Sequence, residues 1–236
     1  MEKEKKSLSK KTIGIIIGAV VAVIALGAVV VFGMNRDFKA DKYVNVILDY
    51  TFKGDSKGAG EMFDEASLSQ MTKQYEDNIT AFVEKNITGG IAVDEEMKEK
   101  YTALCKDIFK AMKYNVTKVE KVNGDEYKVT VEYQAANIFE TYMEMAAEEA
   151  RKMSEKVNRG DEVYLGTPEE VNAQMEQEII ANDYTVLETA YEKVQYGDKE
   201  TVVFTVKRSE SEAFALDSAA LSEFLAKIMN LDAKQD

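Results

Sequence analysis

Carboxylate and tyrosine side chains are the groups in this sequence that could carry out proton-transfer chemistry. The chain has 43 Asp and Glu residues and 12 Tyr residues, but it has no His. Catalysis by such groups needs a carboxyl whose pKa is raised by apolar burial, next to a Tyr that donates a hydrogen bond to it. Their spacing in the sequence singles out no such pair. A carboxylate- and tyrosine-based enzyme therefore stays open as an alternative without assigned residues.

The residue types that are missing exclude several other classes of site. Without His, the chain cannot build Ser-His-Asp or Cys-His machinery, and it lacks the commonest metal ligand. Its single cysteine, Cys105, cannot form an internal disulfide or a thiolate zinc site, and its place on an apolar stripe predicts a buried thiol. The acidic run 94–96 lacks the spacing of a calcium loop and is typical of a helix N-terminus. We therefore expect a non-enzymatic protein with no catalytic residues, no metal and no cofactor.

One segment near the start of the chain is long and apolar enough to cross a membrane. Residues 13–34 consist only of Ile, Val, Ala, Gly, Leu, Phe and Met. As a helix they span about 33 Å, and the hydrocarbon core of a bilayer is about 30 Å thick. We predict a basic cytoplasmic tail at 1–12, a transmembrane helix at 13–34 and a short linker at 35–39. The lipid bilayer is thus an expected partner of residues 13–34.

A cleaved signal peptide is the main alternative for this segment. Its apolar region runs for about 7–15 residues and ends at small residues. Gly27 and Ala28 could form such an end, but the apolar run continues beyond them to Met34, so an uncleaved anchor is favoured. Five Lys residues precede the segment and three basic residues follow it closely: Arg36, Lys39 and Lys42. This asymmetry predicts a single-pass cell-membrane protein with a cytoplasmic N-terminus and an extracytoplasmic C-terminal domain.

The charge of the C-terminal domain limits its partners. The whole chain carries a net charge of −13, and residues 1–34 contribute five Lys and two Glu, which leaves about −16 on the remaining 202 residues. A domain this acidic repels phosphate backbones, so we expect no nucleic acid among its partners. Its length suits one domain, or at most two small ones, and is enough to bury a substantial core.

Hydrophobic periodicity predicts an α+β fold for residues 40–232, in which a small antiparallel sheet of about four strands packs against helices. Alternating residues from Tyr127 to Tyr133 indicate a half-buried strand, and Asn123-Gly124 predicts a two-residue type I′ hairpin turn. A helical hairpin is expected at 135–194, inserted between two strand pairs. Its second helix should begin with a capping box formed by Thr167 and Glu170.

The order of these elements resembles a known group of domains. A helix ending in KGD (53–55), a strand pair around VNGDEYKVTV (122–131) and the closing VVFTVKRSESEAFALDSAALSEFLAKIMNL (202–231) are similar to uncharacterised extracytoplasmic lipoprotein domains of Gram-positive gut Firmicutes. Those domains resemble cystatin-like and nuclear-transport-factor-like folds, in which helices cover one face of a curved antiparallel sheet. The lipid-bearing Cys of such lipoproteins is missing here, and the transmembrane helix takes its place.

The resemblance also implies where a ligand would bind. Folds of this type often hold a cone-shaped pocket between sheet and helices, and four aromatic side chains are expected to face it here: Tyr127, Tyr133, Phe204 and Phe214. The leading hypothesis is an extracytoplasmic module that binds a protein or small ligand at the cell surface. An enzyme in that pocket, or a structural subunit that docks through the helices of 135–194, are the alternatives.

Overall fold

The computed structural model describes residues 38–55, 58–61, 65–89, 91, 93–159, 167–208 and 214–231. The predicted tail at 1–12, the predicted transmembrane helix at 13–34 and residues 35–37 of the predicted linker lie outside these ranges. Within them, no helix combines the length and the apolar composition needed to cross a membrane.

The described residues form an α+β fold with six α-helices and one four-stranded antiparallel sheet. The α-helices are α1 (Ala40–Lys53), α2 (Glu65–Phe82), α3 (Glu95–Lys110), α4 (Ile138–Arg159), α5 (Pro168–Glu192) and α6 (Ser218–Ile228). The strands are β1 (Lys113–Lys121), β2 (Glu126–Ala136), β3 (Tyr196–Arg208) and β4 (Phe214–Leu216). A short 3₁₀ turn at Ala59–Glu61 precedes α2, and a π-helical turn at Val83–Ile87 follows it.

Side chains at the helix N-termini explain where several helices begin. The Asp94 side chain accepts a hydrogen bond from the Met97 amide at the start of α3, and the Asp217 side chain accepts one from the Ala219 amide at the start of α6. The predicted capping box of α5 is confirmed, because Thr167 and Glu170 exchange side-chain to backbone hydrogen bonds. Each such cap satisfies amides that would otherwise have no partner within the helix and contributes about 1 kcal/mol.

The strands lie in the order β1-β2-β3-β4, and each pairs antiparallel with its neighbour. Helices α4 and α5 follow one another in the chain between β2 and β3, which are nevertheless hydrogen-bonded along most of their length. Strand β1 therefore lies at one edge of the sheet. At the other edge, the three-residue β4 pairs only with the last residues of β3.

The β1–β2 hairpin is present, but the prediction of a type I′ turn at Asn123-Gly124 is wrong. Neither residue has a positive φ, which that turn requires at both positions. Instead, residues 122–125 form a four-residue loop in which the Asp125 amide donates to Asn123 Oδ1. This local side-chain bond is the characteristic alternative that Asn offers to a backbone turn.

Helices α1 and α6 cover one face of the sheet and bury its apolar side chains. Phe224 of α6 makes edge-on ring contacts with Tyr133 and Phe204, and its side chain is fully buried. On α1, Phe52 packs against the ring of Tyr114 in β1. Burial of one such aromatic ring stabilises the fold by about 1.5–3 kcal/mol. The opposite face of the sheet is open to solvent, and Val203 of β3 is 52% exposed there.

Candidate functional site

The four aromatic residues expected to line a pocket all lie on the covered face of the sheet. They form two groups. The rings of Tyr127 and Phe214 contact each other edge to face, and the rings of Tyr133 and Phe204 both contact the ring of Phe224 edge to face. All four are exposed by 9% or less. Their ring contacts are with one another, Phe38 and Phe224. Charged side chains also meet three of them: Lys121 lies over the Tyr127 ring, Arg208 lies over the Phe214 ring, and the Tyr133 hydroxyl donates to Glu200 at 2.9 Å. Neither of the two cavities considered below is lined by any of the four. Their role in ligand binding stays a prediction.

A groove between α1 and the edge strand β1 is the larger of these two cavities. It is open to solvent and has a volume of about 400 Å³. Ligand pockets commonly have volumes of about 300–1,000 Å³, so this groove has room for a small ligand or a short peptide segment. Its lining comes from three segments that are far apart in the chain: Asp41, Lys42, Asn45, Val46, Gly58, Asn115 and Val116.

The amphipathic pattern of α1 and the position of one glycine shape this groove. Helix α1 turns one side toward the core, where Tyr43, Val44 and Ile47 are buried, so its neighbouring polar side faces the groove. Gly58 lies against α1 so closely that a Cβ atom there would come within 2.9 Å of Val46 Cγ2. A side chain at position 58 would therefore force the Val46 side chain, the loop or the helix to shift.

Hydrogen bonds hold the wall of the groove in place. Asp49 of α1 accepts from the Tyr114 hydroxyl of β1 at 2.9 Å, and it also accepts from Asn45 Nδ2 at 2.8 Å. Lys53 forms an ion pair with the same carboxylate at 2.6 Å. Burial and the negative charge of Asp49 raise the pKa of Tyr114, so this hydroxyl remains a donor at neutral pH. The Tyr114 bond fixes α1 against β1, and the contacts of Asn45 and Lys53, which lie within α1, orient the Asp49 carboxylate that accepts it.

The groove presents a mixed set of binding groups. It offers the carboxylate of Asp41, the ammonium of Lys42 and the carboxamides of Asn45 and Asn115. Such groups can donate and accept hydrogen bonds to a polar ligand, and the apolar surfaces of Val46 and Val116 lie between them. Chemically, this arrangement suits recognition of a peptide or another polar ligand.

A second group of polar side chains is buried where three helices meet. Asp183 of α5 is only 9% exposed, and its two carboxylate oxygens accept hydrogen bonds from two tyrosines. The Tyr142 hydroxyl of α4 donates to Oδ1 at 2.8 Å, and the Tyr101 hydroxyl of α3 lies 3.0 Å from Oδ2. Tyr101 is also 2.8 Å from the carbonyl of Ile180. Its one proton is therefore shared between two acceptors.

The environment of Asp183 extends the pH range in which its carboxyl is protonated, up to about pH 6. Burial raises the pKa of this carboxyl from 3.8 to about 6, and hydrogen bonds from Tyr142 and Tyr101 offset only part of that rise. Burial and the nearby carboxylate also raise the pKa of both tyrosines, so each remains protonated. Protonated Asp183 can donate to the Tyr101 oxygen while Tyr101 donates to Ile180, which satisfies every group in the cluster.

The cavity beside Asp183 is small. It lies between α4 and α5 with a volume of about 20 Å³, enough for about one water molecule. Ala146, Ala150 and Val186 are among the residues that form its walls. The cluster thus combines a carboxyl of raised pKa with tyrosine donors, but the space next to it does not accommodate an organic substrate.

Two residues of the acidic run 94–96 at the start of α3 have local structural roles. Asp94 is the N-cap, and Glu96 pairs with Lys100 one turn later at 2.7 Å. Across the described ranges, no group of three or more His, Cys, Asp or Glu side chains is arranged to hold a metal ion. Cys105 is fully buried, as predicted, and burial raises the pKa of its thiol to about 12.

Sequence reasoning missed both the groove and the Asp183 cluster, for different reasons. Asp183 interrupts the apolar stripe of α5, where Ile180 and Leu187 are buried on either side of it. A charged residue inside such a stripe is a signal that could have been recognised. The groove has no comparable signal, because it exists only where residues 41–46 and 115–116 come together in space.

Comparison with protein-family models, curated proteins and solved structures gives no match to this chain.

Proposed function

We propose that this chain is a single-pass membrane protein whose folded domain lies outside the cytoplasm and binds a ligand or protein partner in the α1–β1 groove. The observation that carries the proposal is the open groove of about 400 Å³ with its mixed polar and apolar lining. Helix α1 begins at Ala40, six residues after the apolar segment ends at Met34. The element that lines the groove thus follows the proposed anchor directly in the chain.

The proposed location rests on the amino-acid sequence. The 22 apolar residues at 13–34 match the thickness of a bilayer, and the basic residues before them favour a cytoplasmic N-terminus. A relation to extracytoplasmic lipoprotein-like domains belongs to the same proposal. Helices on one face of an antiparallel sheet, as found here, are what that relation would require in outline.

The binding function is tested by thermal unfolding of the full-length protein in detergent micelles. Cys105 is buried and is the only cysteine in the chain, so a dye that fluoresces on reacting with a thiol reports unfolding directly. A ligand that binds only the folded state raises the unfolding midpoint. The panel contains cell-surface glycans, peptides and lipids.

The matched control is Asn45→Trp. Asn45 is exposed and lines the groove, so an indole at this position fills the groove without removing a core side chain. The substitution removes the Asn45–Asp49 hydrogen bond within α1 and leaves the Tyr114–Asp49 bond that joins α1 to β1. We expect at least one class of compound to raise the midpoint of the wild type and to lose its effect on the variant. Uniformly flat results, or shifts that are equal in both proteins, would contradict binding in the groove.

The Asp183 cluster is the observation that favours the alternative of a carboxylate-based enzyme. A carboxyl with a raised pKa beside tyrosine donors is the arrangement that such an enzyme needs. Both of its oxygens are already hydrogen-bonded within the protein, and the adjoining cavity has room for about one water molecule. We therefore assign the cluster to the packing of α3, α4 and α5 against one another, and the binding function to the groove.

A further inference from the structure

Strand β1 has one edge that pairs with β2 and a second edge to which no other described strand is hydrogen-bonded. The second edge presents backbone amides and carbonyls that can pair with another extended chain. Asn115 and Val116 of this strand line the α1–β1 groove. A segment lying in the groove would therefore lie along the free edge of the sheet.

The far half of β1 also lacks cover on the face that is otherwise buried. Val119 pairs with Val129 of β2, which is fully buried, yet Val119 itself is 39% exposed. Helix α1 packs on the first half of β1 through Tyr114 and does not cover this position. Val122, just after the strand, is 46% exposed. An added strand would cover Val119 with one of its own side chains.

The charge of β1 is opposite to that of the domain. The strand carries Lys113, Lys118 and Lys121 but only one acidic residue, Glu120, and all four side chains are exposed. The strand is therefore a basic strip with a net charge of +2, within which Glu120 forms an ion pair with Lys118 at 3.6 Å, on a domain whose net charge is about −16. Acidic segments are attracted to this strip and repelled by the surrounding surface.

We propose that β1 takes up an acidic peptide in extended conformation as an additional strand, with one part of the peptide in the α1–β1 groove and the other beside Val119. This inference rests on the proposed function and names the class of its partner. Backbone hydrogen bonds along the edge supply affinity, and the lysines supply specificity. Eight extended residues span about 26 Å, which is close to the length of the nine-residue strand.

The same lysines disfavour a second copy of the chain as the occupant. Edge-to-edge pairing of two β1 strands brings the Lys-rich edges of both copies together, and like charges across a strand pair are destabilising. The irregularity in pairing between Val116 and Lys118 further discourages indiscriminate pairing. An acidic partner is attracted to the same lysines that repel a second copy of the chain.

The probe is a fluorescein-labelled eight-residue peptide in which Glu alternates with Val, and the measurement is fluorescence anisotropy with the full-length protein in detergent micelles. A peptide with Lys in place of every Glu is the charge control. We expect saturable binding of the acidic peptide alone. The double substitution Lys118→Glu and Lys121→Glu should weaken it at least tenfold in ~50 mM salt, and less in ~500 mM salt, because salt screens exposed charges.

The matched protein control reverses two exposed lysines elsewhere, Lys73→Glu and Lys85→Glu, which lie on α2 and on the π-helical turn. The net charge changes equally in both variants, so the control should bind the acidic peptide like the wild type. Equal weakening in the two variants would mean that overall charge decides binding, and it would overturn the proposal.

Alternate N-methylation of the peptide tests strand addition itself. Only every second amide of a strand points toward a given neighbour, so methylation of one alternate set should abolish binding and methylation of the other should leave it. The proposal is overturned if both methylated peptides lose binding or if both keep it. The proposal is also overturned if the wild-type protein self-associates and the Lys118→Glu, Lys121→Glu variant changes that self-association.

This outcome is distinguishable from failure of the groove itself. If another class of ligand raises the midpoint of the wild type but not of Asn45→Trp, while the acidic peptide does not bind, the groove function stands and the strand proposal fails. If Asn45→Trp leaves every ligand effect unchanged, both fail.

Discussion

Replacement of Asp183 by Asn should change how the stability of the domain depends on pH. The folded protein holds the Asp183 carboxyl at a pKa of about 6, whereas the ordinary value that applies to the unfolded chain is 3.8. Between these two values the folded state binds more protons at this site than the unfolded state. The contribution of Asp183 to the free energy of unfolding therefore falls as pH rises from about 4 to about 6, and it stays low above that.

The size of the effect follows from the separation of the two pKa values. One pKa unit corresponds to about 1.4 kcal/mol, so the full separation amounts to about 3 kcal/mol, of which about 2–3 kcal/mol develops between pH 4 and pH 7. Asn is nearly isosteric with Asp and does not ionise. The free energy of unfolding of Asp183→Asn minus that of the wild type should thus increase by about 2–3 kcal/mol across this interval.

The assay is urea unfolding of the full-length protein in a nonionic detergent, followed by circular dichroism at pH 4, 5.5 and 7. Comparison with the wild type at each pH cancels the contributions of the other carboxylates. Glu188→Gln is the control, because Glu188 lies on the same helix with an exposed side chain. We expect a clearly smaller pH-dependent difference for this variant than for Asp183→Asn.

Loss of one tyrosine donor supplies a second test of the same cluster. Tyr142 donates to Asp183 Oδ1, and this bond favours the ionised carboxylate. Tyr142→Phe should therefore lower the free energy of unfolding by about 1–3 kcal/mol at pH 7 and by less at pH 4. A pH-independent difference for both Asp183→Asn and Tyr142→Phe would refute the view that Asp183 ionises inside the folded domain.

Five further substitutions test the fold, each followed by the same urea unfolding at pH 7. Tyr75→Phe should leave the free energy of unfolding unchanged or raise it, since the buried Tyr75 hydroxyl has no hydrogen-bond partner among the described residues. Tyr50→Phe should lower the free energy of unfolding by about 1 kcal/mol or more, because it removes a donor to the buried backbone carbonyl of Met71. Gly54→Ala should destabilise the domain by about 2 kcal/mol or more, because Gly54 has a φ of +63° and a Cβ atom there would meet the Tyr75 ring at 2.7 Å. Its control is Gly60→Ala, because a Cβ atom at position 60 meets nothing within 4 Å. The control should change stability by less than about 0.5 kcal/mol. Thr167→Ala should cost about 1 kcal/mol through loss of the capping box, and an unchanged midpoint would show that the cap does not stabilise α5.

Local patterns in the sequence were enough to predict the class of the fold. Alternation from Tyr127 to Tyr133 predicted a strand with one buried face, and Val129 and Val131 are indeed fully buried. Capping residues at Asp94 and Thr167 predicted where helices begin. Such features depend on residues a few positions apart, so the sequence specifies them directly.

Features that depend on distant residues were not predictable in this way. The α1–β1 groove needs the packing of Tyr114 against Asp49 and Phe52, some 60 residues earlier in the chain, and no local pattern encodes that contact. The hairpin at Asn123 was predicted, but its turn type was wrong, because an Asx bond within a four-residue loop replaces the two-residue turn. Core packing likewise decides that Tyr127 and Phe214 contact each other.

The central claim, an anchored domain that presents its groove outside the cytoplasm, is tested most directly by labelling from outside the cell. Glu223→Cys places a thiol on the exposed side of α6, while the native Cys105 is buried. Intact cells that make this full-length variant are treated with a membrane-impermeant maleimide, and wild-type cells serve as the background. We predict labelling of the variant without permeabilisation, together with recovery of the protein in the membrane fraction. Labelling only after permeabilisation, or recovery of the full-length chain in the soluble fraction without detergent, would contradict an anchored extracytoplasmic domain.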